Sequence, residues 1–380
     1  MAWRETILRR LHLCLGAFLA VPLVTIGLTG SVLVFESELR AWMEPVPKAT
    51  GAGPAHKLAE IIAAAHEAAP GLVPTLVAPS QAAGGPASVR LAEPARRPGP
   101  GGITVFVDPA TLAILGAERP GDTLLRQIFL LHANLLRQDR SGRDIVGWFG
   151  VAMCALGLSG LVLWWPAQRQ WRGAFTMRQG TRGAPLLRQI HGATGIWSLA
   201  VFLVVSFSGV WLAFPQSFNG VAASWFGLRD VRPGLGVGLA KPQPGIAPLD
   251  ADGAAALAEA SVPGARLRSL NLPMRADQPF RAVMRRAHSA GALPIIALVD
   301  PWQRRVVGLR DPSAYSPAER LVASMHAIHD GSAFGWAWRA LVFLSGLLPA
   351  IFATSGIWMW VLKSRSRRRR RAAAAWAPGE

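Results

Sequence analysis

Residues 188–215 read RQIHGATGIWSLAVFLVVSFSGVWLAFP, and no charge occurs from Gly192 to Pro215. A helix needs about 20 apolar residues to cross the hydrocarbon core of a bilayer. Inside that core every backbone N–H and C=O must be bonded within the segment, so the stretch predicts a membrane-spanning helix. Three more charge-free runs of this length, 13–35, 145–166 and 340–362, predict three more spans. A buried core helix accounts for one such run and not for four.

The start of this stretch is written twice. Arg9-Arg10-Leu11-His12, then Gly16, matches Arg188-Gln189-Ile190-His191, then Gly195. Thr29-Gly30 matches Ser208-Gly209 and Phe35 matches Phe214, all at one offset of 179 positions. Ser159-Gly160 with Trp164 in the second run matches Ser355-Gly356 with Trp360 in the fourth. Between the runs, Val105-Phe106-Val107-Asp108-Pro109, closing at Gly116, matches Ala297-Leu298-Val299-Asp300-Pro301, closing at Gly308. Each reads as strand, Asp-Pro turn, strand. An Ala-rich helical stretch precedes each, at 58–69 and 254–261, while Gly84-Gly85-Pro86 and the Pro- and Gly-rich 94–102 read as loops. The expected fold is a membrane protein, mainly α with α+β periplasmic domains. Its four transmembrane helices form two parallel repeats, each helix, exported domain, helix, related by an axis along the membrane normal.

The formal charge of +18 is unevenly spread. Residues 1–12, the loop 167–189 and the tail 363–380 carry +2, +5 and +6, whereas 36–144 holds eleven basic and eleven acidic residues and 216–339 fourteen and nine. Short Lys- and Arg-rich loops stay in the cytoplasm and long domains translocate largely regardless of charge. The expected order is therefore a cytoplasmic N-terminus 1–12, span 13–35, a periplasmic domain 36–144 with an interfacial helix over 124–136, and span 145–166. A basic cytoplasmic loop 167–189, span 190–215, a second periplasmic domain 216–339, span 340–362 and a basic cytoplasmic tail 363–380 follow. This distribution suits membrane lipids and argues against nucleic acid as a partner. Both cysteines, Cys14 and Cys154, fall inside predicted spans, so the exported domains hold no disulfide, and no Cys-x-x-Cys-His motif offers covalent haem attachment. The first span reads as an uncleaved anchor.

The repeat also sorts the eight histidines. His12 and His191 are equivalent, and each lies eighteen positions before a glycine, Gly30 or Gly209. That is about five turns, which places the histidine, that glycine and Gly16 or Gly195 on one helix face with room for a flat group beside it. His132 lies on the apolar face of 124–136, twenty-eight positions before Gly160. His329 lies twenty-seven before Gly356 and is its better equivalent; His326, at thirty, is a rival or a supporting partner. His56, His66 and His288 have no counterparts and read as solvated. Four histidines in two symmetric pairs, one at each membrane face, suit two non-covalent haem b groups with bis-histidine ligation. Zinc suits them poorly, because nothing like His-Glu-x-x-His occurs. No triad or paired-carboxylate signature appears, so no catalytic acid or base is expected.

Arg10-Leu11-His12 with Thr29-Gly30, Leu131-His132, Arg188-Gln189-Ile190-His191 with Ser208-Gly209, and Ile328-His329-Asp330-Gly331 with Phe334-Gly335 together resemble the PepSY-associated transmembrane family. That family includes iron-regulated inner-membrane proteins and ferric-siderophore reductases. The Val-Asp-Pro strands are similar to PepSY domains. The resemblance implies a bacterial inner-membrane, haem-dependent ferric-chelate reductase that passes electrons to a periplasmic ferric-siderophore. It implies His12 and His191 as ligands of an inner haem, and His132 and His329 of an outer one. No dinucleotide or flavin fingerprint occurs, so a separate cytoplasmic donor or a membrane quinol must supply the electrons. The PepSY name also suggests a binding or regulatory protein that restrains a protease or senses a ligand. A third reading is a b-type haem quinol oxidoreductase with another acceptor.

Overall fold

The computed structural model describes residues 2–82, 84–94, 102–137, 139–166, 171, 175–176, 178–228, 240–286 and 293–375. In chain order its elements are α1 (Ala2–Phe18), α2 (Ala20–Leu33), α3 (Glu36–Met43), α4 (Leu58–Glu67), β1 (Val73–Ala78), β2 (Ala87–Ala92), β3 (Ile103–Val107), β4 (Ile114–Glu118), α5 (Leu124–Asn134) and α6 (Arg140–Trp164). They continue with α7 (Ala184–Ala213), α8 (Pro215–Phe226), α9 (Ala251–Ser261), β5 (Ala265–Asn271), β6 (Phe280–Arg286), β7 (Ile295–Asp300), β8 (Arg305–Arg310), α10 (Pro317–Ala323), α11 (Met325–Asp330) and α12 (Gly335–Ala375). The chain divides into a helical unit, Met1–Glu36 with Ile128–Phe218 and Met325–Glu380, and a sheet unit, Ser37–Gln127 with Asn219–Ser324.

In the helical unit α6, α7 and α12 are each long and apolar enough to cross a membrane. Residues 5–33 make a fourth candidate only when α1 and α2 are taken together, because the chain bends by 64° between them. The helix expected over 13–35 is interrupted at Leu19, and Pro22 supplies the reason. Proline lacks an N–H, and its ring crowds the carbonyl four residues back, here Phe18, the last residue of α1. At the matching position α7 has Val201 and runs unbroken.

Small residues let the helix backbones approach, as membrane helices require. A side chain at Gly27 of α2 would collide with the carbonyl of Gly346 and with Pro349 of α12. Ser31 donates across the same contact to the Phe343 carbonyl at 2.8 Å. Arg339 of α12 donates from Nη2 to the carbonyl of Val34 at 2.7 Å, satisfying an acceptor that the end of α2 leaves open. Phe18, Val21, Trp148, Val162, Trp197 and Trp358 are exposed on the helices.

The sheet unit holds one antiparallel sheet of eight strands in the order β4-β3-β2-β1-β5-β6-β7-β8. Period-2 alternation buries Ala87, Val89 and Leu91 of β2 and leaves Ser88 and Arg90 on the other face. The two exported domains expected from the sequence share this sheet. β1 and β5, each an unpaired edge if its four-stranded half stood alone, pair through Leu76↔Asn271 and Val77↔Leu270. Ile61 and Ala65 of α4, Ala254 and Ala258 of α9, and inward residues from both halves then form one core. Asp252 of the second half also accepts the first N–H groups of α4, from Leu58 at 2.8 Å and Ala59 at 2.9 Å.

The two Val-Asp-Pro turns are explained by their aspartates. Asp108 is 2% exposed and Asp300 is fully buried. Asp108 accepts N–H groups from Thr50, Gly51, Ala110 and Thr111; Asp300 accepts them from Lys241, Trp302 and Gln303. Donation from Gly51 and Ala110 holds the Asp108 carboxyl below the usual carboxylate range. His288, Arg169, Arg172 and most of the 94–102 loop lie outside the described residues.

Candidate functional site

The helical unit brings four histidines together as two pairs. His12 of α1 and His191 of α7 have ring centroids 6.4 Å apart at 74°. His132 of α5 and His329 of α11 have centroids 6.1 Å apart at 42°. Along the straight α7, His191 and the Gly209 that seats His329 are eighteen residues apart, a rise of about 27 Å. The two pairs therefore lie near opposite ends of the helices.

Hydrogen bonding favours the same tautomer on all four rings. His12 Nδ1 lies 2.8 Å from Ser159 Oγ, and His191 Nδ1 lies 2.8 Å from Ser355 Oγ. Each serine spends its single hydrogen on a carbonyl of its own helix, Leu156 at 3.1 Å or Ile351 at 2.6 Å. Each Oγ must then accept, so each Nδ1 carries the proton. In the second pair Nδ1 faces a carbonyl directly: Ile26 for His132 and Val205 for His329, both at 3.0 Å. A carbonyl only accepts, so Nδ1 again donates. Nε2 is left with its lone pair in every case, the form in which imidazole binds a metal.

The glycines have different tasks. A Cβ on Gly30 would stand 2.9 Å from Cε1 of His132, and one on Gly209 would stand 2.9 Å from Cε1 of His329. These two seat the second pair. Gly16 and Gly195 instead line an apolar cleft of about 1010 Å³, counting the space at its mouth, with His12, His191, Trp164 and Phe352. The shared face expected for His12 and Gly30 is corrected by the bend, which puts them on different helices. In α7 the face is continuous, but the room beside Gly209 is filled by His329.

The ring spacing of both pairs suits haem, and at the first pair a cleft adjoins the rings. An imidazole nitrogen binds a metal at about 2 Å and its ring centre lies about 1 Å further back, so two imidazoles on opposite sides of one iron have centroids about 6 Å apart. Both pairs have that spacing. Among the described residues no group of three or more His, Cys, Asp or Glu is placed to hold a bare ion. Two imidazoles alone are too few donors for zinc, whereas a porphyrin brings four of its own.

His326 stays outside the pairs: its side chain is 71% exposed and Nε2 is 3.5 Å from Asp330 Oδ2. His56 bonds Glu60 at 2.6 Å and His66 is exposed. Ser159 and Ser355 are the site residues that sequence reading missed. Their signal was present, since each directly precedes the repeated glycine.

Three or four helices apolar enough to cross a membrane, together with an antiparallel sheet, define a membrane-associated, mainly helical protein. The family profile of the PepSY-associated TM region matches residues 9–363, nearly the whole chain, and the chain belongs to that family. No curated protein matches it.

Proposed function

We propose that the protein is a di-haem oxidoreductase of the bacterial inner membrane that reduces a periplasmic ferric-siderophore. In this reading α1 and α2 form one bent span, four helices cross as two parallel repeats, both termini are cytoplasmic and the sheet unit is periplasmic. The observation that carries the reading is the pairing of four imidazoles, all with Nε2 free and both pairs at the spacing of a bis-histidine iron. His12 and His191 hold the cytoplasmic-side haem, and His132 and His329 the periplasmic-side one.

Haem b, when bound, supplies a reversible one-electron couple. The chain's own residues do the rest. Ser159 and Ser355 orient the first two rings and make them better ligands, as the Ile26 and Val205 carbonyls do for the second two. Leu23, Leu199 and Phe202 keep the cleft apolar, which favours the less charged oxidation state of a buried group. A span is roughly 30 Å across, so a centre near each face shortens the path. One electron from a cytoplasmic or quinol donor leaves as Fe(III) in the chelate becomes Fe(II), which hard oxygen ligands hold less strongly. Reduction of the chelate iron itself moves no proton; a quinol donor would release two protons with its two electrons.

The test is an absorption spectrum of detergent-purified protein, oxidised and then dithionite-reduced, with the haem-to-protein ratio. A low-spin b-type spectrum with two haems per chain is expected. A colourless chain after expression with ample haem would leave the binding or regulatory reading of the sheet unit instead. Reduction of the haems by a quinol, with no reoxidation by ferric chelates, would favour the quinol oxidoreductase.

A further inference from the structure

The walls of the cleft at His12 and His191 match in position and differ in chemistry. Gly16 faces Leu156, with a built Cβ 3.7 Å from Cδ2, and Gly195 faces Phe352, with a built Cβ 4.0 Å from Cε1. The offset that pairs His12 with His191 also pairs Leu23 with Phe202, and the offset that pairs Ser159 with Ser355 pairs Leu156 with Phe352. All four side chains line the cleft. At these matched positions one side is therefore aliphatic. The other is aromatic: the Phe352 ring lies 5.1 Å from the His191 ring, and Phe202 meets Phe352 edge-on at 6.1 Å and 88°. Around the second pair the mismatches are smaller, Thr29 for Ser208 and Ile26 for Val205.

A b-type porphyrin has two inequivalent faces. Half a turn about the in-plane axis that runs between its propionates exchanges vinyl and methyl groups while leaving iron and propionates in place. Between two identical walls both placements would have equal energy. We infer that Phe202 and Phe352 break this tie and select one face of the haem for the His191 side. The inference rests on the haem reading above and adds a role for two residues that touch no iron. Both placements set the same porphyrin against Phe202 and Phe352 and differ only in whether vinyl or methyl groups lie nearest those rings; a conjugated vinyl meets a phenyl ring more favourably than a methyl does, enough for a roughly tenfold preference.

The experiment is proton NMR of the oxidised, low-spin protein in detergent, with haem content measured on the same samples. The first site's methyl resonances are those that His12→Ala abolishes. Wild type should give two sets in a ratio of about ten to one, and Phe202→Leu/Phe352→Leu should shift that ratio toward one to one. The exchanged variant, Leu23→Phe/Leu156→Phe with Phe202→Leu/Phe352→Leu, keeps the cleft volume and should invert the wild-type ratio. An unchanged ratio in both variants, or equal sets in wild type, would overturn the selection while leaving the di-haem reading intact. Absence of haem would overturn both.

Discussion

The first half of the helical unit reaches its histidine contacts over a broken helix, and the second reaches the same contacts over a straight one. α1 gives His12 and, beyond the 64° bend, α2 gives Gly30, Ile26 and Thr29 to His132. α7 alone gives His191 at one end and Gly209, Val205 and Ser208 to His329 at the other. The ring contacts nevertheless agree closely: 2.8 Å to a serine in each half, 3.0 Å to a carbonyl in each half. Helix continuity is thus not what specifies the site. A glycine seat, a carbonyl and a serine on the neighbouring helix are sufficient.

The largest effect should come from filling the glycine seats. Gly30→Ala and Gly209→Ala each force a ring off the carbonyl that holds its Nδ1, at an overpacking cost of about 1–3 kcal/mol. Each should abolish the second pair's haem signal and leave the first pair's intact. Gly220→Ala in α8, whose Cβ would meet nothing within 4 Å, should leave both signals in place. Unequal outcomes for Gly30 and Gly209 would break the equivalence of the halves.

Next come the serines. Ser159→Ala and Ser355→Ala remove the acceptor from Nδ1 and should weaken haem retention at the first pair by about 10- to 100-fold. The two variants should agree, as judged by haem transfer to apomyoglobin.

Much of this was legible before the structure. The four apolar runs, the four histidines of the pairs and the two Asp-Pro turns follow from periodicity and repetition. What was not legible depends on partners distant in sequence. Alternation tells which face of β1 and β5 is buried but not that their edges pair, because edge pairing uses backbone groups common to every residue. Spacing placed Gly30 and Gly209 near a histidine but assigned them to the wrong one, since their neighbours come from α5 and α11. Pro22 was visible, yet a proline in an apolar run also occurs in kinked helices that remain single spans.

Residues 5–18 and 20–33 are each about 20 Å long, so a 64° bend shortens the distance between labels at Glu5 and Val32 by roughly 6 Å relative to a straight helix. Pro22→Val, which copies Val201, should lengthen that distance by a similar amount in pulsed electron-resonance measurements. No change would mean that the bend is set by packing against α12.

The smallest effect concerns a pair present in only one half of the sheet unit. Arg286 Nη2 lies 2.6 Å from Asp311 Oδ2, whereas the matching positions hold Pro94 and Arg119. The guanidinium of Arg286 holds the Asp311 carboxyl down at about 2. An unfolded aspartate titrates at about 3.9, so the stabilisation is complete above that pH and is lost as pH falls toward 2. Asp311→Asn should lower Tm by about 2 °C at pH 6 and cost nothing further near pH 2.

The central claim is that the histidines act as His12 with His191 and His132 with His329. It is tested most directly by the haem-to-protein ratio of single and double alanine variants. His12→Ala, His191→Ala and their double variant should each fall from two haems to one and lose the same spectral component; His132→Ala and His329→Ala should lose the other, and His326→Ala neither. A His12→Ala/His191→Ala protein that loses both haems, or a His326→Ala protein that loses one, would contradict the pairing.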